Sequence, residues 1–261
     1  VFKLSQAQVA LFEQDSLRQF EQRALQFVRQ TFSRHWRYLG EAQVLEVIHH
    51  GLERAHRHHL TLESSVLPYL SVMFMLGSGF DADPQYPWAK ELLTAPHLPA
   101  ENARARRLQE QALDYAHHAL KDFRGAHQEV EKGRFAGEML RIFREGSAPL
   151  VPESVPDFTH RMLLRLNRAF PHKCAYLGES TLRQVVQQGI DRAAEQGLRT
   201  ERGTTVFTLM QFVLGSGFVE DPLVPWAAPL FEELQKMNPS LRADKLYEEA
   251  LSQLKSWSRL E

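Results

Sequence analysis

With one cysteine, Cys174, in 261 residues, the chain cannot form an internal disulfide, and nothing in it requires an oxidising compartment. It lacks any hydrophobic run approaching the roughly 20 apolar residues of a membrane span. No basic-then-apolar leader opens at Val1. These absences predict a soluble, cytoplasmic protein with no membrane insertion. Neither sign of charge is in excess: 31 Lys and Arg face 32 Asp and Glu, for a net charge of −1. That balance removes the long-range attraction to phosphate that marks nucleic-acid binders. Arg34-His35-Trp36-Arg37 and the histidines between His49 and His59 concentrate positive character locally, but acidic residues interrupt them, and no nucleic-acid partner is expected. Strand signals are missing as well, with no sustained period-2 alternation and no Asn-Gly or Asp-Gly hairpin turn.

What is present is helical spacing. Phe20, Ala24, Phe27, Val28 and Phe32 fall three or four apart, as do Val44, Ile48, Gly51, Leu52 and Ala55, each set marking one face of an amphipathic helix. The whole chain therefore reads as all-α. Helices are predicted at about 5–33, 41–58, 63–76, 87–94 and 100–121, then at about 156–170, 179–196, 201–214, 225–236 and 240–257. Gly40 and Gly77 stand where helices stop, and Pro87 and Pro99 where they start. Pro68 conflicts with an ideal third helix and predicts a kink or a later start.

The strongest feature is a repeat without an insertion. Tyr38-Leu39-Gly40-Glu41 returns as Tyr176-Leu177-Gly178-Glu179, and Leu76-Gly77-Ser78-Gly79-Phe80 as Leu214-Gly215-Ser216-Gly217-Phe218, both at the same offset along the chain. Asp83-Pro84 and Pro87-Trp88-Ala89 recur in that register as Asp221-Pro222 and Pro225-Trp226-Ala227, and 21 of the 52 pairs from Tyr38 to Ala89 are identical. This predicts two tandem homologous helical modules in pseudo-two-fold relation. The first spans 1–123 and the second 158–261. Between them, 124–157 carries a connecting helix over 126–145 and a linker with Pro149, Pro152 and Pro156. Cys174 stands opposite Trp36 in this register, which marks a packing position rather than a nucleophile.

The loop from Gly-Ser-Gly-Phe to Pro-Trp-Ala admits two readings. Glycine amides could form an anion nest, or Asp83 and Asp221 could contact a metal or a partner. The structural reading is favoured: Gly77, Gly79, Gly215 and Gly217 end helices and turn the chain, Asp-Pro turns it again, and Trp88 and Trp226 anchor the connection. A P-loop lysine is absent, so nucleotide binding is not expected there, and no cofactor is. His49, Glu53 and His56 share a helix face and could hold a divalent ion, but their counterparts are Gln187, Asp191 and Ala194, which favours a solvated, titratable face. Glu41/Glu179, Arg54/Arg192 and Glu63/Glu201 are charged in both copies, and the expected use of the latter two pairs is an Arg–Glu lock between helices.

Tyr-Leu-Gly-Glu, the helix reaching Gly189-Ile190-Asp191-Arg192-Ala193, and the Phe-Val-Leu-Gly-Ser-Gly-Phe end with its Asp-Pro and Pro-Trp-Ala loop resemble a group of small helical bacterial proteins. That group is associated with type VI secretion loci, near spike, tip and toxin genes, and the resemblance covers nearly all of both copies. It implies no known enzymatic activity. It implies a protein partner, through a role as adaptor or co-chaperone for a secreted effector or spike component, or as an immunity protein that neutralises a toxin. A helical metal-dependent enzyme using the histidine face is the alternative from another class. Phe80, Asp83, Phe218 and Asp221 on the loops, with His49 and His56, are the candidate partner contacts. The oligomeric state is not fixed by the sequence.

Overall fold

Apolar residues recurring at helical intervals become the buried faces of a helical assembly. The computed structural model describes residues 6–98, 100–119, 150–151 and 154–258, with side chains described from 15 to 253. Among them are ten α-helices and no strand. These are α1 (Gln6–Thr31), α2 (Ser33–Arg57), α3 (Glu63–Leu76), α4 (Pro87–Leu93) and α5 (Glu101–Ala119), followed by α6 (Val155–Ala169), α7 (Pro171–Glu195), α8 (Glu201–Leu214), α9 (Ala227–Lys236) and α10 (Pro239–Ser258). The chain is all-α, as expected, and none of the described helices is long and apolar enough to cross a membrane. The connecting helix expected over 126–145 lies outside the described residues, as do Pro99, Pro149 and Pro152.

Phe20, Ala24 and Val28 of α1 and Val44, Ile48 and Ala55 of α2 are buried together, with Phe27, Phe32 and Leu52 packed at their edge. α1 lies on α2, α2 on α3, and α3 most extensively on α5; α6 lies on α7, α7 on α8, and α8 on α10. α5 also packs against α7, and the buried apolar residues before and after the 120–149 segment form one core. Two crossings leave no room for a side chain. A Cβ on Gly51 would stand 2.3 Å from Leu70 Cδ2, and one on Gly189 would stand 2.5 Å from Thr208 Oγ1. These glycines let Leu70 and Met73 of α3 pack onto the backbone of α2, and Thr208 of α8 onto that of α7.

Two expectations need correction. The segments before Gly40 and Gly178 are helical, because each glycine breaks its helix at φ +76° and +74° while residues on both sides stay helical. α2 and α7 are therefore bent helices, not helices that begin at the glycine. Second, α3 runs from Glu63 with Pro68 inside it, so the later start does not occur. The burial of Val66, Tyr69, Leu70, Val72 and Met73 outweighs the one backbone bond that proline removes. The helix expected at about 156–170 begins at Val155, with Pro156 in its first turn.

Candidate functional site

The repeated loops meet each other. Gly77 and Gly215 end α3 and α8 at φ +99° and +101°, a backbone open mainly to glycine, and the chain then turns through Ser78-Gly79 and Ser216-Gly217. A Cβ on Gly79 would lie 3.7 Å from Gly217 Cα, and one on Gly217 would lie 3.8 Å from Gly79 Cα. Across this contact the Ser216 backbone N–H donates to Asp83 Oδ2 at 2.6 Å, and the Ser78 N–H donates to Asp221 Oδ2 at 2.8 Å. The second oxygen of each aspartate accepts from its own loop, Asp83 Oδ1 from Gln85 N–H at 2.9 Å and Asp221 Oδ1 from Leu223 N–H at 2.8 Å. Both carboxylates are buried, and that burial pushes both pKa values above the ordinary aspartate value despite the amide bonds that oppose it.

Asp83 and Asp221, candidate partner contacts in the sequence, thus face the opposite loop of their own chain. Phe80 and Phe218, offered as exposed anchors, are 1% and 0% exposed. Phe80 lies against Tyr69, and Phe218 against Phe207 and Phe231, so the packing alternative is the one present. Trp88 and Trp226 are partly buried on the core. Cys174 is buried, and Trp36, its counterpart, is partly buried.

The Arg–Glu lock exists with other partners. Glu63 pairs with Arg23 at 2.7 Å and Glu201 with Arg161 at 2.9 Å, two pairs that occupy matching positions of the repeat. Arg54 pairs instead with Asp81, while Arg192 donates to Ser216 O and pairs with Glu220 at 3.0 Å. Asp81 also accepts from Tyr69 OH at 2.9 Å and binds His58 Nε2 at 2.6 Å. Burial opposes its ionisation, but the His58, Arg54 and Tyr69 hydrogen bonds prevail and hold its pKa at about 2. This network went unread in the sequence. Its signal was there: Asp81, His58 and Tyr69 stand opposite Val219, Gln196 and Phe207, so three of the network's four members differ together while Arg54 is kept as Arg192.

His49 and His56 lie on the outer face of α2, as expected. His49 Nε2 binds Glu21 Oε1 at 2.6 Å. With Glu53, Leu52, Leu17 and Phe20 they line a surface groove of about 510 Å³ between α1, α2 and the start of α3. Among the described residues no group of three or more His, Cys, Asp or Glu side chains is placed to hold a metal ion.

A second cavity, of about 300 Å³, lies where the two halves of the chain meet. Its walls are mostly apolar, with Phe74, Met75, Leu76, Met210, Val213 and Leu214 among them. Lys173 and His35, which occupy equivalent positions in the repeat, both line it. Lys173 is 3% exposed; its Nζ donates to Phe212 O and sits 4.1 Å from the Phe212 ring centre. Desolvation lowers its pKa to about 8, against the pull of Asp83, and desolvation takes His35 to about 4. Tyr38 OH donates to Gln253 Oε1 at 3.0 Å on the same wall, where the buried Tyr115 hydroxyl lies beside that of Tyr86. Neither Lys173 nor Tyr115 drew notice in the sequence, since each occupies an apolar-phase helix position.

Comparison of the chain with protein-family models, with curated proteins and with solved structures finds no match in any of the three.

Proposed function

We propose that this chain is a cytoplasmic protein-binding adaptor or co-chaperone for a type VI secretion effector or spike component, built from two homologous modules in pseudo-two-fold relation. One observation carries the reading. Residues common to the two halves are used inward, in the Asp83–Ser216 and Asp221–Ser78 bonds, whereas most of the residues that line the outer groove differ between halves, with Ser16, Phe20, Arg23 and Glu63 kept. Leu17, His49, His56 and Thr61 there stand opposite Val155, Gln187, Ala194 and Arg199. A scaffold kept in duplicate with its surface diverged suits two modules that touch different parts of an asymmetric partner. Leu17 is 47% exposed beside Phe20 and Leu52, which gives the groove an apolar floor with a titratable rim. The secretion context comes from the sequence resemblance alone.

The test is affinity capture of the tagged full chain from its native host, beside a Leu17→Asp/His56→Asp variant. The expected result is recovery of an effector or spike protein by the parent chain and at least tenfold less by the variant. Equal recovery by both would remove the groove from the account, and recovery of neither while the locus is expressed would contradict the adaptor reading. If the captured protein is a toxin and the chain protects cells that make it, the immunity role replaces the adaptor role.

A further inference from the structure

We propose that the cavity between the two halves binds a neutral aromatic compound of about two or three rings. Its volume of about 300 Å³ is roughly twice that of an engineered apolar cavity of about 150 Å³ that admits benzene. A small fused or linked ring system therefore fits, whereas a dinucleotide or other large cofactor does not. The walls favour flat rings. His35, Tyr38, Phe74, Tyr86, Tyr115 and Trp226 supply ring surface, and Met75 and Met210 supply thioethers, which pack well against ring edges.

The neutrality of the ligand follows from the ionisable groups of the walls, which are engaged within the chain. Lys173 Nζ donates to Phe212 O, sits 4.1 Å from the centre of the Phe212 ring and is drawn to the Asp83 carboxylate. Asp221 accepts from the Ser78 and Leu223 amides, one on each oxygen. The Tyr86 and Tyr115 hydroxyls pair with each other. Tyr38 OH donates to Gln253 Oε1 at 3.0 Å, and Gln253 Nε2 donates in turn to Glu249 at 2.7 Å. Desolvation keeps His35 uncharged near neutral pH, with its pKa at about 4, and its ring stands edge-on to Phe74 with centres 5.7 Å apart. An ion of either sign entering this setting would lose its hydration without gaining a partner. The outer groove, where Arg23, His49 and Glu63 have exposed side chains, has no such bias.

Fluorescence titration of the full chain with N-phenylnaphthylamine tests this, beside anilinonaphthalene sulfonate, which adds a negative charge to the same ring skeleton. The neutral dye is expected to saturate at one per chain, to bind about tenfold more tightly than the sulfonate, and to be displaced by naphthalene. Val213→Trp, at a partly buried position of the wall, fills the cavity and should weaken the neutral dye about tenfold. Leu17→Asp in the outer groove should leave its binding unchanged. Equal or tighter binding of the sulfonate, no saturable binding of the neutral dye, or a loss confined to Leu17→Asp would overturn the proposal. The two dyes and Leu17→Asp decide the matter even if Val213→Trp does not fold.

Discussion

Two aspartates define the centre of the molecule at the residue scale. Asp83 and Asp221 each bridge their own loop to the opposite one, so neither can lose an oxygen acceptor without stranding a buried amide. Asp83→Asn and Asp221→Asn should each cost about 1–3 kcal/mol of stability, measured by chemical denaturation. The pH dependence has a defined sign. Burial raises both pKa values, so in the folded chain these groups hold protons to higher pH than in the unfolded chain. Their contribution to stability therefore falls as pH rises through that window. The stability gap between the parent chain and the Asp83→Asn/Asp221→Asn variant should widen as pH is lowered from neutral toward it; a gap that narrows would contradict the assigned direction. Asp81 acts oppositely, since its contribution is present above the ordinary aspartate pKa and is lost as pH falls toward about 2.

At the scale of elements, α3 and α8 have equivalent boundaries in the two copies but start by different means. Thr200 caps α8 with its own hydroxyl, which accepts from Gly203 N–H at 3.1 Å. Leu62, at the matching place before α3, has no such oxygen, and Glu101 of α5 reaches across to accept from the Leu62 N–H at 3.1 Å and from Ser65 Oγ at 2.6 Å. Thr200→Ala should cost about 1 kcal/mol, read as a shift in the urea midpoint, while Leu62→Ala should leave the cap of α3 in place. How much of the fold was legible follows the same logic. Gly77 and Gly215 marked the ends of α3 and α8 because only glycine takes that backbone cheaply, and the predicted 63–76 and 201–214 agree with the helices formed. Gly40 does end a helical run, as expected, but the run before it, like the one before Gly178, fell outside the helices the spacing marked. Phe32, His35, Trp36 and Leu39 are in helical phase, but their copies include Lys173, a charge at a buried position, which obscured the pattern. The candidate site was less legible still. Whether Asp83 faced solvent or Ser216 depended on the docking of two loops far apart in sequence, which no local pattern encodes.

For the whole molecule, the two halves share one core and meet through their repeated loops, through α5 against α7, and through Tyr38 with Gln253. Tyr176 makes the corresponding reach to α5, accepting from Gln111 Nε2 at 3.0 Å. The proposed adaptor role rests on a junction whose loop contacts use residues kept in both halves. The most direct test of that junction is a cross-link at the loop contact, in a Gly79→Cys/Gly217→Cys chain with Cys174→Ser to remove the native thiol. A Cβ at either glycine would stand within 3.8 Å of the opposite Cα, which places the two thiols beside each other. Mild oxidation should give a faster-migrating monomer on a non-reducing gel, reversed by dithiothreitol. Cross-linking only between chains, or none under conditions that oxidise an exposed control pair, would contradict the face-to-face junction on which the account rests.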